Sequence, residues 1–157
     1  MIPQRLEGRA FRLAEEDASE RGILEPRSRR APLSERIARL FALRRSNRAR
    51  RLRAGDLVVV DGVFGLGGPD PAAVEALASV GLAAIVAADF DPSFARRAAD
   101  AGLLLLVNPD AARQIANGRR TRVDIETGLV HDVDADEWYR SAAPAGDLEL
   151  AVPRRAI

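Results

Sequence analysis

The 157-residue sequence holds no cysteine and no lysine, and has one histidine and one tryptophan. Without thiols the chain has no disulfide, no thiolate nucleophile and no thiolate-bound iron–sulfur or zinc site. A single imidazole, His131, excludes a histidine-built metal cluster. Asp132, Asp134 and Asp136 beside it alternate like calcium-loop ligands. The glycine and the bidentate glutamate that complete such a loop are missing, so a solvated acidic turn is expected. No apolar run approaches the ~20 residues that cross a bilayer. The opening Met-Ile-Pro-Gln-Arg leads into charge and does not read as a signal peptide, so a cytoplasmic location is expected.

All 24 basic residues are arginine. Arginine suits phosphate and carboxylate partners. A bias this complete, with abundant alanine and leucine, fits genome-wide coding composition, so no single arginine is read as functional. Hydrophobic residues make up 47% and charged residues 30%, the balance of one globular domain over residues 1–157. Charge is unevenly spread. Residues 27–53 hold eleven arginines and one acid, a local charge of +10 within a chain of +1, which leaves −9 elsewhere.

Residues 1–26 read as irregular or short-strand. In the arginine-rich insertion, Leu33, Ile37, Leu40 and Phe41 recur at helical spacing behind Pro32 and Ser34. That predicts an amphipathic helix over about residues 33–45, its arginines on the outer face. A second arginine run, Arg48 to Arg53, leads into the turn Gly55-Asp56. Leu57 to Val60 then reads as a buried strand. Asp70 and Pro71 supply the N-cap and first position of a helix that Gly81 ends. Ala83 to Ala87 is a second strand, 92–101 a second helix and 103–107 a third strand. This βαβαβ order over residues 57–107 predicts a parallel α/β core with ligand-binding loops at the carboxyl ends of its strands. A short helix over 110–117, a strand around Arg122 to Ile125 and a hairpin return at Leu129-Val130 follow. The tail from Ala142 is polar, with Leu148, Leu150 and Val152 alternating weakly.

Gly65, Leu66, Gly67 and Gly68 lie between a buried strand and a helix start. Free amides of a first helical turn attract anions, so these residues are a candidate phosphate or carboxylate site. The plainer alternative is a tight turn that needs glycine dihedrals. Asp70 weighs against an anion because it caps the turn itself and adds like charge. The spacing also fails both nucleotide motifs: the Lys-Ser/Thr of the P-loop is absent, and the third glycine of GxGxxG is out of place.

Several blocks together resemble the small subunit of 3-isopropylmalate dehydratase, which corresponds to the swivel domain of aconitase. They are Gly55-Asp56-Leu57-Val58-Val59-Val60, Phe64-Gly65-Leu66-Gly67, Ala83 to Ala87, Gly102-Leu103 and Val123-Asp124-Ile125-Glu126-Thr127-Gly128. Gly8-Arg9-Ala10-Phe11 resembles the family's opening. The match is continuous over about 54–130. The resemblance implies a swivelling β/β/α domain working beside a large subunit that carries a [4Fe-4S] cluster. In that family the pair moves a hydroxyl between neighbouring carbons of a malate-type acid, as in leucine biosynthesis. The small subunit supplies a Ser-Ser-Arg-Glu stretch, one serine as base and the arginine gripping a carboxylate. Here those positions are Gly68, Pro69, Asp70 and Pro71. The family's early Asp-Thr-Asp falls near Ser19-Glu20-Arg21, and Asp89 to Phe94 carries altered charges.

Three functions stay open. The chain is the small subunit of an aconitase-superfamily hydro-lyase with an altered substrate or lost activity, where Asp70 is the one candidate general base. Alternatively it is a catalytically inactive binding or regulatory module that keeps the swivel fold, paired with the same large subunit. Alternatively the stretch Arg27 to Arg53 binds nucleic acid, a reading weakened by its single aromatic residue, Phe41. No membrane partner and no cofactor held by this chain are expected.

Overall fold

The computed structural model describes residues 5–45, 50–68 and 70–140. Pro69, Arg48 and the alternation at Leu148, Leu150 and Val152 lie outside the described residues.

The expected βαβαβ core is present. Strands β1 (Arg5–Leu13), β2 (Leu57–Phe64), β3 (Ala84–Phe90) and β4 (Leu105–Val107) run parallel. Strands β5 (Arg120–Asp124), β6 (Val130–Asp132) and β7 (Glu137–Tyr139) continue antiparallel. Among the described residues they make one seven-stranded sheet in the order β4-β3-β2-β1-β5-β6-β7. The helices are α1 (Glu20–Ile23), α2 (Leu33–Ala38), α3 (Pro71–Val80), α4 (Pro92–Asp100) and α5 (Pro109–Gln114).

Both faces of the parallel half are covered. Phe11, Val58, Val60, Ile85 and Leu105 point to one side and pack with residues of α3, α4 and the stretch through Phe41. Leu57, Val59, Ala84, Val86 and Leu106 point to the other and meet α5 and β5. That double burial explains the continuous apolar runs of β2 and β3. Phe64 gathers Phe41, Phe90 and Phe94 around it at centroid distances of 6.5, 6.1 and 5.1 Å. Its complete burial contributes about 1.5–3 kcal/mol.

Four expectations need correction. The stretch before residue 26, read as irregular or short-strand, contains the nine-residue central strand. β1 pairs β2 on one side and β5 on the other. Its alternation of exposed Arg5, Glu7 and Arg9 with more buried Leu6, Gly8 and Ala10 is a strand pattern masked by charge. The helix expected to residue 45 stops at Ala38. Phe41 turns to a φ of 56° and its amide donates to the Ile23 carbonyl at 2.9 Å. Burying that ring against Phe64 prevails over extending the helix. The strand read as ending at Val60 runs on to Phe64 past a register shift between Val60 and Val63. The helix after residue 108 spans only Pro109–Gln114, and β7 carried no sequence signal.

Asn108, wholly buried, ties the sheet's second half to the first. Its carbonyl oxygen caps α5 by accepting from the Ala111 amide at 3.0 Å. Its amide nitrogen donates to the Gly128 and Tyr139 carbonyls at 3.2 and 2.9 Å.

Candidate functional site

The candidate residues sit together at the carboxyl end of β2, on the loop into α3. A bulge and three glycines shape the loop, with φ of 91°, 106° and 104° at Gly65, Gly67 and Gly68. A Cβ on Gly65 would collide with the Phe94 ring, so glycine is needed there for space as well as for dihedral. A Cβ on Gly67 would meet that of Glu20 at 3.1 Å.

Residues 14–24 form a strap across this loop. The Gly65 amide donates to the Ala18 carbonyl at 2.8 Å, and the Glu20 amide donates to the Leu66 carbonyl at 2.8 Å. Glu15 Oε2 accepts from the Val63 amide at 2.6 Å. Leu66 is left pointing outward, 45% exposed.

Asp70 is the expected N-cap of α3. Its Oδ1 accepts from the Ala72 amide at 3.0 Å. Its Oδ2 lies 2.7 Å from Arg29 Nε. Both atoms are shut from solvent, and the N–H is not aimed along the contact, so they meet as an ion pair rather than as a linear hydrogen bond. The same guanidinium donates from Nη2 to Glu20 Oε1 at 2.8 Å. Two carboxylates therefore share one arginine. Asp70 is buried, with 7% of its side chain exposed, and has both oxygens committed. A general base needs an oxygen free to face the substrate proton, and here each oxygen makes a contact within the chain.

Arg29 was not legible as a site residue, and Glu20 was marked only as lying near the family's early Asp-Thr-Asp. Arg29 belongs to an arginine-rich stretch, and composition alone gave no reason to single it out. The expectation that these arginines line an outer face is corrected by their contacts. Arg36 donates to the Ala72 carbonyl at 2.9 Å and to Glu75 at 3.0 Å, tying α2 to α3. Arg50 grips Asp56 with two nitrogens at 2.7 and 3.1 Å. Asp56 also accepts from the Arg53 amide at 2.7 Å. The Arg44 and Arg50 guanidinium carbons stand 5.5 and 5.2 Å from the Phe11 ring centroid. Charge and cation–π contacts thus add to the packing of Leu33, Ile37, Leu40, Phe41 and Leu52 in holding this segment to the body.

The acidic turn is a folded turn. Asp132 accepts from the Ala135 amide, Asp134 pairs with Arg120, and Asp136 meets His131 Nε2 at 3.0 Å. Hydrogen bonds and charge from Arg120 hold the Asp134 carboxyl below its ordinary range. A hydrogen bond from Arg27 does the same for Glu25. Burial, with help from Glu137, pushes the Tyr139 phenol up. Among the described residues no group of three or more histidine, aspartate or glutamate side chains is arranged to hold a metal. No described helix is long and apolar enough to cross a membrane. His131 is buried and stacks on Trp138 with ring centroids 3.8 Å apart.

Comparison with known proteins bears out the resemblance drawn from the sequence blocks. A 3-isopropylmalate dehydratase small subunit of Endomicrobium trichonymphae is 28% identical over 95 residues, covering 60% of this chain and 58% of the relative. A 2,3-dimethylmalate dehydratase small subunit of Eubacterium barkeri is 30% identical over 93 residues, covering 59% and 57%. A 3-isopropylmalate dehydratase small subunit of Pyrobaculum neutrophilum is 34% identical over 98 residues, covering 62% and 60%. The matched part thus spans less than two thirds of each of these relatives. No family model matches the chain. The crystal structure of a 3-isopropylmalate dehydratase from Methanocaldococcus jannaschii shares the fold. It superposes with a TM-score of 0.80 at 22% identity, over 92% of this chain and 86% of the other.

Proposed function

We propose that this divergent relative of the dehydratase small subunits is the small-subunit-like component of an aconitase-superfamily hydro-lyase, one that pairs with a large subunit while its own loop has lost the chemistry of the reaction. The observation that carries this reading is the state of Asp70. Where the resemblance implies an arginine gripping a carboxylate, an aspartate caps a helix and binds Arg29 of its own chain. The preceding positions, Gly68 and Pro69, offer no side chain that can remove a proton. The conserved geometry of β2, β3 and their connecting helix supports retention of a docking scaffold without retention of catalysis.

The [4Fe-4S] cluster that the resemblance implies belongs in the proposed large subunit. This chain has no cysteine to ligate one. Its own contribution is positional: the strap, the loop and the acidic residues around them shape whatever the partner presents. An inactive binding or regulatory module is the limiting form of the same reading, and the double engagement of Asp70 favours it over an enzyme acting on a different acid. Inward-turned Arg36, Arg44 and Arg50 weigh against the nucleic-acid reading, because guanidiniums committed to this chain are not available to phosphates.

The test is coexpression with the large subunit encoded in the same genome, followed by an assay over 2-hydroxy acids, isopropylmalate and 2,3-dimethylmalate included. The two chains should copurify and show no dehydration. Failure to pair would remove the subunit reading, and turnover of any of these acids would remove the claim of lost chemistry.

A further inference from the structure

We infer that the groove between α3 and α4 is where a second copy of this chain docks, forming a two-fold dimer in which Glu75 of each copy meets Arg97 of the other. The inference goes beyond the proposed function, because it concerns the association of the chain with itself and not with a large subunit.

It starts from the composition of α3. The ten residues Pro-Ala-Ala-Val-Glu-Ala-Leu-Ala-Ser-Val hold one charge, Glu75, and one further polar side chain, Ser79. Ala73, Val74, Ala76 and Leu77 are buried. A helix on the outside of a domain ordinarily turns a charged face to water. α4 does so with Arg96, Arg97 and Asp100, all exposed. α3 instead presents small and nearly uncharged side chains.

α2 closes one flank of α3, where Arg36 reaches the Ala72 carbonyl and Glu75 Oε1. The other flank opens onto α4 as a groove of about 420 Å³. Val74, Ala78 and Ala101 supply its apolar surface, while Glu75 lines it from α3 and Arg97 from α4. No buried polar side chain lines it, as a small-molecule site would require. Side chains this small let a further helix approach toward the short end of the ~8–10 Å range of helix packing distances.

Charge selects the occupant. Among the described residues the Arg97 guanidinium has no hydrogen-bond or ion-pair partner. Glu75 is 59% exposed, and only its Oε1 is engaged among the described residues. The two groups are opposite in sign, and each sits near the middle of its helix. A two-fold axis running along the groove lays α3 of one copy on α4 of the other. Glu75 then faces the second copy's Arg97, and symmetry repeats the pair. A patch that carries both halves of such a pair complements itself. A purely acidic or purely basic partner would leave one half opposed by like charge.

The experiment measures the mass of the full chain by light scattering and sedimentation over the micromolar range. The unaltered chain should dimerise. Glu75→Arg and Arg97→Glu should each weaken the dimer at least roughly tenfold, because each sets like charges across both contacts. Arg97→Lys should keep it. Mixed in equal amounts, the two reversed variants should form a dimer again, since one then brings two bases to the groove and the other two acids. Circular dichroism checks that each variant is folded. Arg97→Glu removes no ion pair within the described residues, so it and Arg97→Lys decide the matter even where Glu75→Arg, which loses Arg36, does not fold. A monomer at every concentration, an Arg97→Glu variant that dimerises like the unaltered chain, or a mixture of folded variants that stays monomeric would each overturn the inference. A monomer whose capture of the large subunit is weakened by Arg97→Glu would give the groove to that subunit, and would overturn it as well. Because the chain is tested alone, a failure to pair with a large subunit leaves the dimer measurement readable.

Discussion

Residues 57–107 and residues 27–53 are held to the same molecule by different forces. The first stretch forms β2, α3, β3, α4 and β4, and its residues are fixed by burying apolar side chains on both faces of a sheet. The second has a six-residue helix, buries Leu40 and Phe41 in the same core, and adds arginines reaching carboxylates, carbonyls and one aromatic ring. The difference teaches where this fold is robust and where it responds to conditions. Apolar burial is not weakened by screening, whereas exposed ion pairs weaken as the screening length falls to ~3 Å at 1 M salt, and partly buried pairs weaken to a lesser degree. The candidate site lies on the seam, since Asp70 belongs to the first stretch and Arg29 to the second.

The largest effect should come from the apolar side. Phe64→Ala should lower unfolding free energy by about 3–5 kcal/mol, because a ring wholly buried among three other phenylalanines leaves a cavity. Urea denaturation measures it, and the loss should be the same in low and high salt. A loss under about 1 kcal/mol would show that the cluster is loosely packed.

Next is Asp56→Ala on the electrostatic side. It strips the carboxylate from Arg50 and from the Arg53 amide, where only 7% of the aspartate side chain is exposed. Arg50 keeps partial access to water, so the expected cost is about 2–3 kcal/mol. Unlike the Phe64 change, this cost should shrink in 1 M salt. Equal costs at both salt concentrations would break the comparison.

At the seam, Asp70→Ala should cost about 1–2 kcal/mol through the lost cap and ion pair, and Asp70→Asn less than about 1 kcal/mol because the cap survives. Thermal melting of the two variants separates the cap from the charge. Identical losses would assign the whole effect to the charge. A change remote from both systems, Arg113→Ala, removes a pair exposed on both sides and should cost under about 0.5 kcal/mol.

The smallest expectation concerns pH. Burial raises the folded-state pKa of Tyr139, so above the ordinary tyrosine value of 10.0 the unfolded chain releases a proton that the folded chain keeps. Stability should fall as pH rises from there through the folded value. Tyr139→Phe should flatten that part of the curve, and an unchanged alkaline slope would place the cause elsewhere. The carboxyls of Glu25 and Asp134 work the other way. Their folded values are lowered, so their contribution is complete above the ordinary carboxylate range and fades as pH falls through it.

How legible the molecule was in its sequence follows the same division. β2, α3 and β3 could be placed because apolar runs, an Asp-Pro helix start and a glycine stop are local signals with local causes. The swivel-type fold could be named because blocks between residues 54 and 130 keep their order. The length of β1 and its place at the centre of the sheet were missed although its alternation is present, because arginine and glutamate on its exposed face broke up the apolar pattern. The end of α2 depends on Phe41 reaching Phe64, and no window of neighbouring residues contains that contact. Asp70 was found, and its role as a cap was read correctly. Its partner Arg29 lies 41 positions earlier among many arginines, so only the folded chain identifies it. Asp70 thus carries a counterion, Arg29, from a distant part of the same chain.

The central claim is that a hydro-lyase scaffold persists here around a loop stripped of its reacting groups. Its most direct test is isomerisation of isopropylmalate by the large subunit combined either with the unaltered chain or with the triple change Gly68→Ser, Pro69→Ser and Asp70→Arg. The account predicts no turnover with the unaltered chain and turnover only with the triple change. Turnover by the unaltered chain would contradict it.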